Sequence, residues 1–468
     1  LVQKENPLCE VRVWPGSAAT WDFDNGTLWV GRFGDAEKTL YRWWNDGGPW
    51  HDLIAGATGS GKSEFVNTLL LAGLNSSGLV LDRVVDPQWG QSFGDLQDHV
   101  DWFAPDISEA RLLLLDTVKQ MRRRNRMYSR ARRKTWRPTV DEPLIVVTID
   151  EAHEVLKDPI CLALVEKLAK LARKCGVKLR LITQVPTVTE IGNSTPIKDA
   201  LLGGNLIVFR TGSAVSTNVS IGPVLPVDPH RLPPEWPKGS PGAGKTTAGL
   251  GFMAGASRRP APWRSWFIGD DMRPFLCDAD GNLCITPGVP SAAMVAESGV
   301  LWSDRKARVV ALFESPPDDG DILPAGLVEA LTATAHAHLS QGARQLSLVA
   351  NAPAVPGVNE FDDGSARAAV LMAAVRHADD VTGRVGRQAL VEHARTRDGQ
   401  PVKPRTLTHV LTSLVADGVL LRVRNGIYEL TDRARGEVSR NANALVAAMV
   451  GPDPVVSGED DVEAGEPQ

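Results

Sequence analysis

Cysteine is scarce in this chain. The five present (Cys9, Cys161, Cys175, Cys277 and Cys284) are scattered over 468 residues, and no two form a C-x-x-C pair. That excludes a disulfide framework or a zinc ribbon and fits reduced thiols in a cytosolic protein. Long apolar runs are missing as well. The longest, such as Leu144 to Ile149, are strand-sized, well short of the roughly 18 residues a membrane span requires. There is no signal-peptide pattern, although a chain beginning at Leu1 and not Met leaves room for sequence upstream. The 43 Gly and 32 Pro follow no G-X-Y period, and no internal repeat is found, so the chain is not collagenous. An excess of one charge is also lacking: 51 Lys+Arg face 56 Asp+Glu, for a net of −5. On that average the chain has no claim on nucleic acid. What is present, 43% hydrophobic and 23% charged residues, describes soluble globular protein, long enough for about two to four domains.

Residues 10–34 read as short strands, with Asp24-Asn25-Gly26 as a hairpin turn. From 51 to about 211, apolar strands alternate with helical segments: 52–55, 79–85, 144–149, 177–183 and 205–210. Alternation of this kind predicts an α/β fold, a mainly parallel sheet covered on both faces. Pro and Gly dominate 221–243; 263–269 is a strand candidate, and 327–339 an Ala-rich helix. Residues 452–468 hold six acidic and no basic residues and are expected to be disordered.

The chemistry begins at Gly56-Ala57-Thr58-Gly59-Ser60-Gly61-Lys62-Ser63, which fits G-x-x-x-x-G-K-[ST] between a strand and a helix. Glycines let backbone N–H groups curl around a triphosphate, and the helix N-terminus adds its positive dipole end. Lys62 is assigned to the β- and γ-phosphates of ATP and the Ser63 hydroxyl to Mg²⁺. The apolar strand 144–149 ends in Asp150-Glu151-Ala152-His153. Asp150 is placed to hold the Mg²⁺ shell and Glu151 to polarise the attacking water, while His153 is as well explained by capping or packing. Gln184, at the end of the next strand, is either a γ-phosphate sensor or a polar residue closing a strand before Pro186. Arg210 is a candidate arginine finger acting on an adjacent subunit, with Arg173 as its competitor.

Two further runs imitate binding motifs. Gly239-Ser240-Pro241-Gly242-Ala243-Gly244-Lys245-Thr246 fits the phosphate-loop pattern a second time. It follows a Pro-rich stretch that forbids an ordinary central strand, so it is expected to be a mobile loop. Asp278-Ala279-Asp280-Gly281-Asn282 starts like a calcium loop but has Leu283 and Val289 where Gly and Glu belong, and reads as a turn.

Locally, charge is far from balanced. Between Lys119 and Arg137, ten of nineteen residues are basic and none is acidic, a concentration that calls for a polyanion or an acidic partner surface. Residues 381–436 hold ten basic and five acidic residues. They read as a first helix, an apolar-striped second helix and a hairpin turning at Asn425-Gly426, the pattern of a winged helix-turn-helix. Arg405, Thr406, Thr408, His409, Thr412 and Ser413 would then face a DNA major groove, with Arg422 and Arg424 on the wing. Winged helices also serve as protein–protein modules.

The run from Gly31 to about Gly222 resembles the motor of the FtsK/SpoIIIE-type DNA translocases. The resemblance rests on residues 51–63, the strand 145–151, the segment 168–179 and Ile182-Thr183-Gln184-Val185-Pro186. Through Leu81 to Gln88 and Thr247 to Phe252 it is most similar to the plasmid-transfer (Tra) translocases of mycelial actinobacteria. The resemblance implies a RecA-like P-loop ATPase, hexameric, moving double-stranded DNA in conjugative plasmid transfer or chromosome segregation, with a winged helix that reads repeats on the plasmid. It also implies that the second Gly-Lys-Thr loop has no catalytic role. The chain departs from the family in Thr211 to Asn218, which lacks the usual Arg. The organisation expected is a β-rich segment (1–50), a motor (51–255), an extension and linker (256–376), a winged helix (377–437) and an acidic tail (438–468). The protein would be cytoplasmic, including a place at the cytoplasmic face of the cell membrane. Two rivals are a related ATPase driving protein secretion and a nucleotide-switched DNA-binding regulator.

Overall fold

The computed structural model describes residues 6–212, 228–255, 259, 261–269, 271–314, 370, 373–374, 384–394, 401–424 and 427–431. Six strands form the parallel heart of one sheet, in the spatial order Asn205–Phe209, Asp52–Ala55, Val177–Thr183, Leu144–Ile149, Val80–Val85, Trp102–Ala104. Their sequences are mostly apolar because both faces are covered, and the charged residues they carry, such as Asp52, Arg83, Lys178 and Arg180, are buried and paired. Leu53 belongs to one core and Ile54 to the other, and the alternation repeats at Ile145 and Val146. The helices Ile107–Arg130, Pro159–Leu171, Thr195–Leu202 and Ala292–Ser298 contribute to one core. The helix Lys62–Leu74 lies on the opposite face with Trp14, Trp43 and Trp44.

The sheet continues beyond these six strands. Leu250–Ala254 joins Asn205–Phe209 antiparallel, then Trp263–Ser265, Thr27–Phe33 and Trp21–Asp22 extend it. The N-terminal hairpin at Asp24-Asn25-Gly26 is therefore the rim of the same sheet, and Trp263–Ser265 is shorter than the strand expected at 263–269. A fully buried charge cluster ties the rim to the heart. The Asp52 carboxylate takes Lys178 Nζ at 3.0 Å, Arg180 Nε at 3.2 Å and the Tyr41 hydroxyl. Buried charges persist only when paired in this way.

Near the C-terminus, Pro404–Ala416 buries Leu407, Val410, Leu411 and Leu414 in a small separate core. Leu420–Arg424 and Ile427–Leu430 pair antiparallel, and Arg384–Gly386 adds a third strand. Among the described residues no helix is long and apolar enough to cross a membrane. The expectations for 213–218, 327–339 and 452–468 fall outside the described residues.

Candidate nucleotide site

Parallel strands deliver their C-terminal ends to one edge, and the phosphate loop hangs there between two neighbours. Gly56 N–H donates to Thr183 O at 3.2 Å and Ala57 N–H to Arg210 O at 2.8 Å. Gly59 and Gly61 take φ of +72° and +93°, the left-handed region that favours glycine. A Cβ on Gly56 would meet Ser60 Oγ at 2.6 Å, and one on Gly61 would meet Gly249 N at 2.4 Å. Among the described residues the N–H groups of Thr58, Gly59 and Gly61 have no acceptor, and the buried Ser60 Oγ has no partner. With the first turn of Lys62–Leu74 directly behind, this is a cradle of donors suited to phosphate. The Ser63 side opens to solvent, whereas Lys62 is buried, its Nζ 3.4 Å from Thr183 O and 3.8 Å from Glu151 Oε1.

Asp150 and Glu151 arrive at the same edge one strand further along. Asp150 N–H donates to Val85 O at 2.9 Å, which sets Asp86, at the end of the adjacent strand, beside it. Burial raises the Asp150 carboxyl above its usual range; Lys62 opposes this and Asp86 adds to it. Burial likewise raises Asp86, with a contribution from Glu151, and Asp86 Oδ2 has no partner. Acids that are this costly to ionise together suit a divalent cation, whose charge offsets theirs. Among the described residues no group of three or more His, Cys, Asp or Glu forms a cation cage by itself. Asp86 escaped the functional reading of the sequence, although an acid closing a buried strand is the same signal that singles out Asp150.

Glu151 holds φ +41°, ψ 53° and donates its N–H to Asp150 Oδ1 at 3.0 Å. Gln184 is exposed, one residue beyond Thr183 on the same edge. Arg210 lies next to this chain's own loop and anchors it through its carbonyl. Arg173 is exposed at the opposite edge, ahead of Val177. The second Gly-Lys-Thr run closes on itself: Gly244 N–H donates to Trp236 O at 3.1 Å and Trp236 N–H to Lys245 O at 3.0 Å. A strand, Leu250–Ala254, follows it and not a helix, so it lacks the helix N-terminus that holds phosphate. Its end instead abuts the first loop, where Gly249 N–H donates to Ser60 O at 2.8 Å. Asp278 Oδ1 accepts from Asp280 N–H at 3.0 Å and Asn282 N–H at 2.9 Å, the turn predicted there.

The basic stretch 119–137 requires a correction: its charges are not unopposed. Arg124 is buried, donating to Cys175 O, Gly176 O and Pro143 O. Arg126 pairs with Glu297, Arg133 with Glu142 and Arg137 with Asp46. The fold brings acids from distant sequence, which a local count cannot register. Arg130, Arg132 and Lys134 remain exposed. In the C-terminal unit Arg405, Thr406, Thr408, His409 and Thr412 are on the exposed side of Pro404–Ala416, and Arg387 Nη2 donates to Thr408 Oγ1 at 2.7 Å. Arg422 is exposed, and the Arg424 side chain lies outside the described residues.

Residues 17–155 match the FtsK/SpoIIIE family. The chain is 30% identical over 189 residues to the DNA translocase FtsK of Campylobacter jejuni, covering 36% of this chain and 19% of that protein. It is 31% identical over 161 residues to the DNA translocase SftA of Bacillus subtilis, covering 30% of this chain and 16% of that one. The chain thus spans about a fifth or less of the length of these relatives. Among solved structures it is similar to the pCW3 conjugation coupling protein TcpA in its monomer form with ATPγS. That likeness has 18% identity and a TM-score of 0.41, and covers 56% of this chain and 71% of that one. The phosphate loop and the acidic strand end both lie inside the stretch, residues 17–155, that matches the FtsK/SpoIIIE family.

Proposed function

We propose that this chain is an ATP-driven translocase of double-stranded DNA. The observation that carries the reading is the convergence of Gly56–Ser63 with Asp150 and Glu151 on one sheet edge inside the FtsK/SpoIIIE-matched stretch. The loop amides and Lys62 would bind the phosphates of ATP. Ser63 and Asp150 would hold Mg²⁺, which when bound neutralises phosphate charge. Glu151 orients the attacking water and receives its proton, and Gln184 senses the γ-phosphate. A finger from a neighbouring subunit, Arg210 or Arg173, implies a ring, for which a hexamer is the proposed size. DNA contacts through Arg130, Arg132 and Lys134 would be to phosphates, hence salt-sensitive and indifferent to sequence. Residues 377–437 form a winged helix in this reading, with Arg405, Thr406, Thr408, His409 and Thr412 toward base edges and Arg422 and Arg424 on the wing. The exposed polar side of Pro404–Ala416 over its apolar core supports that part. The named relatives support DNA as the substrate, and the resemblance to plasmid-transfer translocases supports a role in conjugation.

The test is ATP turnover with and without duplex DNA, on the full chain and on one ending near residue 380. Stimulation by any duplex, and extra stimulation by a recognition sequence only in the full chain, is expected. Turnover indifferent to DNA would instead favour a protein-substrate ATPase.

A further inference from the structure

The second Gly-Lys-Thr run ends against the first phosphate loop, and one buried side chain holds that end in place. Arg264, in the middle of strand Trp263–Ser265, is only 5% exposed. Its Nη2 donates to Thr246 O at 2.9 Å and Ala248 O at 3.1 Å, and its Nη1 to Leu8 O at 2.7 Å. The Thr246 and Ala248 carbonyls lead directly into Gly249, which is bonded on both sides. Its N–H donates to Ser60 O at 2.8 Å, and its carbonyl accepts from Ser265 N–H at 2.9 Å. A Cβ on Gly61 would meet Gly249 N at 2.4 Å, so the two backbones are too close for one to shift without the other. Beyond the strand, Ile268 N–H and Gly269 N–H donate to Glu64 Oε1 at 2.5 Å and 2.8 Å, which ties the same segment to the first turn of Lys62–Leu74.

We propose that Arg264 is a positioning residue for nucleotide binding: by fixing the Thr246 and Ala248 carbonyls it sets Gly249 against Ser60 and keeps the phosphate loop in its phosphate-binding shape. The inference rests on Gly56–Ser63 binding the phosphates of ATP. Its physical basis is the peptide between Ser60 and Gly61. A planar trans peptide points its C=O and its N–H in opposite directions. Anchoring Ser60 O to Gly249 therefore aims Gly61 N–H, one of the amides without an acceptor, away from Gly249 and into the cradle. Gly61, at φ +93°, has the freedom to turn that peptide over once the anchor loosens. The second Gly-Lys-Thr run thus contributes to the first site through its backbone, without binding phosphate. Asp150 and Glu151 are carried by a different strand, so the chemical step should be largely spared.

Equilibrium titration of the full chain with ATP, together with steady-state turnover, tests the proposal in Arg264→Met, Arg264→Lys and Arg124→Met. Arg124→Met is the control, because it removes another buried guanidinium that donates to three carbonyls. All measurements are made below the melting onset of each variant. A loop that keeps its binding shape about a tenth of the time without the clamp raises the apparent Kd about tenfold. Arg264→Met should therefore raise Kd and KM for ATP about tenfold, with kcat within about threefold of wild type. Arg264→Lys, which keeps the charge and some donors, should fall between the two, at about threefold. Arg124→Met should leave Kd within about twofold. Wild-type affinity in Arg264→Met overturns the proposal, and so does an equal rise of Kd in Arg124→Met. Should Arg264→Met fail to fold, wild-type affinity in Arg264→Lys overturns it instead. A wild-type chain that binds no ATP overturns both this inference and the nucleotide-site reading; an ATP-binding wild type with an indifferent Arg264→Met overturns this inference alone.

Discussion

Replacing Arg124 by Met separates a structural arginine from a DNA-facing one. The guanidinium donates to Cys175 O at 2.9 Å, Gly176 O at 3.1 Å and Pro143 O at 2.8 Å, all in the turns that feed strands Leu144–Ile149 and Val177–Thr183. Burial lowers its pKa to about 10, still charged at neutral pH. Met keeps the apolar stem but supplies no donor. Gly176 O would still accept from Ile145 N–H at 3.0 Å, leaving Cys175 O and Pro143 O unpaired. Each orphaned carbonyl costs about 1–3 kcal/mol. Relief of the desolvated charge offsets part of this, for a net loss of about 2–4 kcal/mol. In a unit of 150–250 residues that lowers Tm by about 5–15 °C. Arg132→Ala, at an exposed position of the same basic stretch, should cost less than about 0.5 kcal/mol. It should instead reduce the log–log salt slope of DNA binding by about one. Tryptophan-fluorescence melts and DNA titrations at several salt concentrations read both quantities. The reasoning fails if Arg124→Met melts within about a degree of wild type, or if Arg132→Ala is equally destabilised.

Other outcomes follow from the site and its supports. Glu151→Gln should keep KM for ATP within a few-fold and lower kcat at least about a hundredfold, measured in single-turnover and steady-state assays. Gly61→Ala combines an unfavourable φ of +93° with a contact of 2.4 Å against Gly249 N; equilibrium titration with ATP should show affinity down more than about tenfold. Burial lowers His51 from 6.5 to about 4 in the folded chain, so between those values the unfolded chain binds the extra proton. The His51 contribution is therefore complete above pH 6.5 and is lost as pH falls toward 4, about 3 kcal/mol in all. His51 Nδ1 accepts from Leu179 N–H at 3.0 Å, a bond that His51→Asn preserves. Urea melts of that variant across pH 4–7 should show a shallower acid slope.

Strand positions were largely legible. The mainly apolar runs at 52–55, 144–149 and 177–183 coincide with the observed strands, because burial on both faces favours hydrophobic residues; Asp52, Lys178 and Arg180 interrupt two of them as a buried ion cluster. The three-residue edge strand Trp102–Ala104 was not, since so short a segment leaves no period to read. The phosphate loop and Asp150 declared themselves through local chemistry that must be contiguous. The Glu64 carboxylate that accepts from Gly269 N–H at 2.8 Å and the buttress of Gly249 against Ser60 did not. Each depends on a partner brought close only by the fold. The basic stretch misled for the same reason: Asp46 and Glu297, which oppose Arg137 and Arg126, are far away in sequence.

The decisive measurement is the ATP hydrolysis rate of the full chain and of Lys62→Ala, each with and without duplex DNA. A rate that rises several-fold with duplex DNA in the wild type and is abolished in Lys62→Ala under both conditions is the predicted result. Turnover by Lys62→Ala at the wild-type rate would contradict the site; wild-type turnover unchanged by DNA would contradict the translocase.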